Sequence, residues 1–316
     1  MSSQSNFVDA LRTKPYLVLD GALATELERK GCNLNCKLWS AQVLADDPDL
    51  IYQVHVDYFV AGADVAITST YQASVQGLME AGHSDTEAVD LIHKSVGLAA
   101  RARREINLQD RTRVCYIAGS VGPYGAYLSD GSEYRGDYKL SFDDMKDFHR
   151  PRIVALLDAH VDVLACETIP SIEEIKAILS LLDDFTAPAW ISVTLKDGQH
   201  LSDGTPLSTV AKILDESENI VAMGLNCVSA ELVDEALQQF SSQSSKPFVV
   251  YPNSGEGFDA TSKTWTGNAM SSNSLAELVT KWHANGAKLI GGCCRTAPSD
   301  IKIVKEILKN HKSIAG

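Results

Sequence analysis

VLACETIPSIEEIKAILSLLDD, residues 163–184, contains one strand and one helix in succession. Val163–Glu167 is a short apolar run without polar alternation, as a strand buried on both faces of a parallel sheet requires. Ser171 then opens a helical pattern over 171–184. The same unit recurs to either side. Upstream runs are Tyr16–Asp20 (YLVLD), Asp64–Thr68 (DVAIT) and Val114–Gly119 (VCYIAG). Downstream runs are Ala189–Val193 (AWISV), Val221–Asn226 (VAMGLN), Pro247–Tyr251 (PFVVY) and Lys288–Gly292 (KLIGG). Helical patterns follow at 49–61, 85–107, 141–160, 171–184, 206–217, 230–240, 274–285 and 299–310, with Pro151 predicting a kink or break in the third. Eight alternations in 316 residues predict an α/β fold: a parallel, eight-stranded (β/α)8 TIM barrel forming a single domain over 1–316. A doubly wound open sheet is the alternative. The first strand is followed by DGALAT rather than a Gly-rich dinucleotide fingerprint, which weakens it.

Two connections exceed simple turns. Residues 21–48 follow the first strand and 120–140 follow the third. Both leave the C-terminal ends of their strands, the face on which barrel enzymes build their sites.

Composition narrows the partners. Forty-one acids against 28 bases give a net charge of −13, which repels phosphate and argues against nucleic acid and anionic membrane surfaces. No apolar run approaches the ~20 residues that span a bilayer. The N-terminus MSSQSNFVDA lacks the basic and apolar regions of a signal peptide, so a cytoplasmic location is expected. Seven cysteines, an odd number irregularly spaced, argue against a disulfide framework. Oligomeric state is left open.

Polar residues collect where the strands end. They are Asp20-Gly21, Thr68 with Ser69, Thr70 and Tyr71, Glu167, Asn226-Cys227, Tyr251-Pro252-Asn253, and Gly291-Gly292-Cys293-Cys294-Arg295. Cys227 and Cys293 lie two βα units apart, close enough to converge above a barrel. Successive residues of an extended strand face opposite ways, so Cys293 and Cys294 can share one metal only if the chain leaves extended geometry. Gly291 and Gly292 are expected to supply that freedom. Three thiolates suit Zn²⁺ and leave its fourth position open, as in a catalytic site. A vicinal 293–294 disulfide is the competing reading. Cys115 and Cys166 read as packing residues. Cys32 and Cys36 have no second pair to complete a metal motif. None of the eight histidines sits at a strand end with a partner.

GLNC at 224–227, GGCCR at 291–295 and DGALAT at 20–25 resemble the zinc-dependent homocysteine S-methyltransferase family. So do ITSTYQAS at 67–74, GPYGAYLSDGSEYRGDY at 122–138, ACETIP at 165–170 and YPNSGE at 251–256, which together cover nearly the whole chain. The long third loop is most like the branch using S-methylmethionine, often also S-adenosylmethionine, as donor. The resemblance implies one Zn²⁺ per chain on Cys227, Cys293 and Cys294. It implies that Asp20, Gly21, Thr68, Glu167 and Asn226 surround L-homocysteine. It implies methyl transfer from a sulfonium to the zinc-bound thiolate, giving methionine. Betaine as donor and selenohomocysteine or another thiol as acceptor are the alternatives within the superfamily. Thr168 stands where the betaine branch has an aromatic residue. Trp39, Tyr71, Tyr134 and Glu133 could face the donor cation. Outside the superfamily the readings are a Schiff-base enzyme, for which Lys196 is the nearest lysine, and a zinc-storing or redox-sensing protein.

Overall fold

The computed structural model describes residues 6–34, 40–255, 257–259, 264–266 and 268–311. Eight parallel strands form the central sheet. They are β1 (Leu17–Val18), β2 (Val65–Ile67), β3 (Tyr116–Val121), β4 (Val163–Ile169), β5 (Ala189–Val193), β6 (Ile220–Asn226), β7 (Phe248–Tyr251) and β8 (Ala287–Ile290). Their order runs from β1 through β8, β7, β6, β5, β4 and β3 to β2. A parallel bridge between Leu19 and Val65 joins the two ends, and the Asp20 N–H donates to Val65 O at 3.1 Å. The sheet is therefore a (β/α)8 barrel, and the open-sheet alternative is excluded.

Both faces of the strands are buried, which accounts for their continuous apolar runs. Their outer side chains pack against the helices in the larger core cluster. Inside the barrel, Leu17, Leu19, Val65, Tyr116, Ala118, Val163, Ala165, Trp190, Ala222, Val249, Tyr251 and Leu289 form a second cluster. Full burial of one such aliphatic side chain contributes roughly 1.5–3 kcal/mol.

The helices differ from the sequence reading in several places: Leu23–Arg29 and Ser40–Asp46 lie within the connection 21–48, Val75–Glu80 follows β2, and Tyr124–Leu128 lies within 120–140. A helix at Phe7–Thr13, not expected from the sequence, inserts Phe7, Ala10 and Leu11 into the interior cluster. The Phe7 ring meets Tyr116 edge-on at 5.5 Å and Trp190 at 6.1 Å, closing the barrel opposite the site. The helix Phe142–Asp158 runs through Pro151 without a break. Its neighbour Arg152 is anchored to three carbonyls on adjacent loops, so tertiary contacts outweigh the one backbone bond that proline cannot make. The segment expected as one helix at 230–240 divides into a 3₁₀ turn, Ala230–Leu232, and a helix, Val233–Ser241.

Candidate active site

The cysteines owe their convergence to local backbone. Cys227 follows β6 with φ at 52°, in the left-handed region. Cys293 to Thr296 form a tight turn closed by Thr296 N–H donating to Cys293 O at 3.1 Å. Its third residue, Arg295, has φ at 69°. That conformation, costly for a residue with a side chain, brings Thr296 back onto Cys293 O and closes the turn that carries both cysteines. The freedom expected of Gly291 and Gly292 is thus supplied elsewhere. Those glycines serve close approach instead. A Cβ on Gly291 would lie 2.6 Å from Leu19 Cβ, and one on Gly292 would lie 2.4 Å from Thr296 Oγ1. The end of β7 holds both cysteine segments. Cys227 N–H donates to Tyr251 O at 3.3 Å, and Cys293 N–H to Pro252 O at 2.8 Å.

The three sulfurs lie within 4.8 Å of one another. Cys227 and Cys293 have Cα atoms 5.5 Å apart and their sulfurs in contact, and Cys294 Sγ stands 3.6 Å from Cys227 Sγ. The spacing of two βα units thus brings the three sulfurs around one point, and the vicinal 293–294 bridge is not what the structure pairs. A cluster of soft donors from two chain segments fits a metal of zinc's type.

Asp20 and Glu167 flank the cluster. Asp20 is 4% exposed and its Oδ2 accepts the Ile67 N–H at 2.8 Å. Its own carbonyl accepts the Gly292 N–H at 3.1 Å, one residue before Cys293. Glu167 accepts a hydrogen bond from Ser120 Oγ. Burial pushes Glu167 up to about 7, with the Ser120 and Tyr251 hydroxyls and the Arg152 charge pulling it back. Burial also raises Asp20 well above the usual carboxylate range, and the Glu167 charge adds to it. Two buried carboxyls that oppose each other's ionisation create a place for a cation.

The other sequence candidates are bound into the framework. Asn226, 1% exposed, accepts from Thr168 N–H at 2.7 Å and from Ser192 Oγ at 2.8 Å. Its amide nitrogen donates to Thr168 Oγ1 at 2.8 Å and approaches Cys293 Sγ at 4.0 Å. Thr68 Oγ1 accepts from Ser120 N–H at 2.9 Å and meets Thr70 Oγ1 at 2.8 Å. Gly21 packs where a Cβ would lie 2.8 Å from Thr296 Oγ1 and 2.9 Å from the Tyr58 ring. Cys115 and Cys166 are buried packing residues. Cys36 and Trp39 lie outside the described residues.

The sequence reading missed Ser120, Ser192 and Arg152. Ser120 stands just beyond the expected end of the third strand, so its position was its only signal. Arg152 lay in a helix where charge usually means solvent.

The profile of the family described as Homocysteine S-methyltransferase matches residues 17–308. The chain belongs to that family. It is 52% identical over 308 residues to "Homocysteine S-methyltransferase YbgG" of Bacillus subtilis (strain 168), covering 96% of this chain and 98% of the relative. It is 51% identical over 306 residues to "Homocysteine S-methyltransferase" of Escherichia coli (strain K12), covering 96% and 99%. Among solved structures it resembles the metallated form of the homocysteine methyltransferase MmuM from Escherichia coli. That match has a TM-score of 0.86 at 48% identity, over 94% of this chain and 98% of that one. The chain is thus a methyltransferase of the homocysteine S-methyltransferase family, and its cysteine cluster sits in a fold also solved with metal. No helix among the described residues is long and apolar enough to cross a membrane.

Proposed function

We propose that the protein transfers a methyl group from a sulfonium donor, S-methylmethionine or S-adenosylmethionine, to the thiol of L-homocysteine, giving methionine. The observation that carries this reading is the juxtaposition at one barrel mouth of three cysteine sulfurs within 4.8 Å and two buried carboxyls. Cys227, Cys293 and Cys294 would hold one Zn²⁺. Bound there, the ion would supply a thiol-ionising charge, worth about 2 kcal/mol against a free thiol of pKa ~8.5 at neutral pH.

The chain's residues then position the acceptor. Asp20 and Glu167 bind its ammonium, whose charge relieves their mutual opposition. Asn226 fixes Thr168, and so the end of the strand carrying Glu167, relative to Cys227 and Cys293. Holding acceptor sulfur, methyl and leaving sulfur in line provides most of the acceleration. The acceptor sulfur contributes the electron pair of the new S–CH₃ bond. The donor C–S pair stays on the leaving sulfur, which becomes a neutral thioether. The acceptor's thiol proton goes to water. No general acid is needed, which agrees with His149 being buried against Glu174 at 2.8 Å rather than placed at the cluster.

A donor panel tests the reading. The reduced, zinc-loaded protein is incubated with homocysteine and S-methylmethionine, S-adenosylmethionine or betaine, and methionine is measured. Methionine from the sulfonium donors is expected; its formation from betaine alone would overturn the donor assignment. Stoichiometric zinc in the wild type, lost together with turnover in Cys294→Ala, is expected of the metal site.

A further inference from the structure

The loop after β3 carries a feature that acceptor binding leaves unused. A 3₁₀ turn, Ser132–Tyr134, is pressed onto the barrel mouth. Glu133 O accepts from Thr194 Oγ1, just beyond β5, at 3.1 Å. Gly125 packs so closely beneath it that a Cβ would lie 2.4 Å from Glu133 N. Gly136, with φ at 65°, packs against Pro170 beyond β4. The backbone of the turn is therefore fixed over the strand ends.

Its side chains present an unusual combination. Glu133 Oε2 is buried and has no hydrogen-bond partner among the described residues. The nearest basic residue in sequence, Arg135, is directed to Asp137 at 3.0 Å and Asp130 at 3.9 Å. Burial holds the Glu133 carboxyl above its ordinary range. Beside it, Tyr134 is 39% exposed, and burial raises its hydroxyl well above the ordinary range, with the Cys294 and Glu133 charges adding to the rise. The Tyr71 ring packs on Gly122, where a Cβ would lie 2.7 Å from it, and burial raises its hydroxyl well above the ordinary range, with Tyr134 and Glu133 adding to the rise.

We propose that Glu133, Tyr134 and Tyr71 form the subsite for the methyl donor's sulfonium group, with Glu133 as its counter-charge. This rests on the reading of the protein as a sulfonium-dependent methyltransferase. A sulfonium has no N–H or O–H to donate, so a protein recognises it through charge and aromatic faces. A buried carboxylate oxygen without a hydrogen-bond partner, on a turn fixed over the strand ends and in electrostatic reach of two tyrosines, supplies both at the barrel mouth where the methyl must arrive. As the methyl leaves, the positive charge on the donor sulfur disappears. Glu133 therefore stabilises bound donor more than the transition state, and its effect falls on donor KM.

The test uses the zinc-loaded wild type, E133Q, Y134F and Y134L, with donor and homocysteine varied separately. E133Q is expected to raise the donor KM about tenfold or more, with homocysteine KM and bound zinc within about twofold and kcat undiminished; tenfold corresponds to about 1.4 kcal/mol. Y134L is expected to raise donor KM several-fold and Y134F to change it little. If E133Q fails to fold, the Tyr134 pair alone decides. An unchanged donor KM in E133Q, an equal rise in both KM values, or identical behaviour of Y134F and Y134L overturns the proposal. Wild-type protein that makes no methionine from any sulfonium would instead sink the reading in the preceding section. Wild-type turnover with an unaltered E133Q donor KM sinks this subsite alone.

Discussion

Asn226 and Thr168, at the ends of β6 and β4, exchange two hydrogen bonds. Thr168 N–H donates to Asn226 Oδ1 at 2.7 Å, and Asn226 Nδ2 donates to Thr168 Oγ1 at 2.8 Å. Both are almost fully buried. Thr168 has φ at 63°, and Cys227, directly after Asn226, has φ at 52°. This pair thus joins two strained backbone sites, one directly after Glu167 and one carrying the Cys227 sulfur.

Asn226→Ala is expected to destabilise the protein by about 2–3 kcal/mol. It strands the Thr168 N–H in a buried site, which costs about 1–3 kcal/mol, and frees a strained turn. Homocysteine KM should rise with the stability loss, because Glu167 and Cys227 lose their common reference. Urea denaturation and steady-state kinetics measure the two effects. A variant of wild-type stability and unchanged homocysteine KM would contradict this account.

The redox state of Cys227 and Cys293 should control metal uptake. Their sulfurs are in contact and so are placed to couple on oxidation; coupled, they would have no thiolate to offer a metal, which requires the deprotonated thiol. Protein isolated under oxidising conditions is expected to bind little zinc. Reduction should expose two additional titratable thiols and restore stoichiometric binding. Cys166→Ala, altering a buried packing cysteine on β4, should leave the uptake intact. Thiol titration and metal analysis on the same samples check this; strong zinc binding by the oxidised protein would refute it.

Much of this arrangement is legible in the sequence because a barrel strand is a local object. A continuous apolar run ending in a polar residue marks both the strand and its C-terminal end, so the placing of Asp20, Glu167, Cys227 and the Cys293-Cys294 pair at one barrel mouth is readable before any coordinates. What the sequence hides depends on contacts between distant segments. Gly291 and Gly292 invite the inference of a flexible turn, yet packing against Leu19 and Thr296 explains them, while Arg295 carries the left-handed conformation. Phe7–Thr13 is too short for its periodicity to announce a plug.

His55 predicts an acid-sensitive stability. It lies in the helix Pro48–Ala61, 1% exposed, and neither ring nitrogen has a partner among the described residues. Burial lowers its pKa from 6.5 to about 4. The unfolded chain therefore takes up this proton first as pH falls. Its contribution is fully present above about 6.5 and is lost on going down through about 4. The loss should reach roughly 2 kcal/mol by about pH 5. Urea midpoints across this range should show the slope, and His55→Leu should remove that part of it. An unchanged slope in the variant would show that His55 is not its source.

Arg152 gives the last prediction. Its side chain is 1% exposed and donates to Tyr71 O at 2.8 Å, to Thr70 O at 3.4 Å and to Gly122 O. It also meets His149 Nδ1 at 3.3 Å, and His149 pairs with Glu174, which accepts from Tyr124 N–H at 2.7 Å and from the Tyr138 hydroxyl. Burial lowers the guanidinium to about 10, so it remains charged at neutral pH. This chain of contacts ties the loops after β2 and β3 to the helix Ile172–Phe185 that follows β4. Removing one member of such a network leaves its partners buried and unpaired, with a cost of about 3–5 kcal/mol. Arg152→Met should therefore lower the melting temperature markedly. Arg152→Lys should recover only part of the loss, because an ammonium cannot reproduce the guanidinium's planar fork. Since the arginine grips the carbonyl of Tyr71 itself, the lysine variant should also show a raised donor KM at temperatures where it remains folded. Calorimetry and donor kinetics on the two variants check both effects. A lysine variant with wild-type stability and donor KM would reduce Arg152 to a replaceable buried charge.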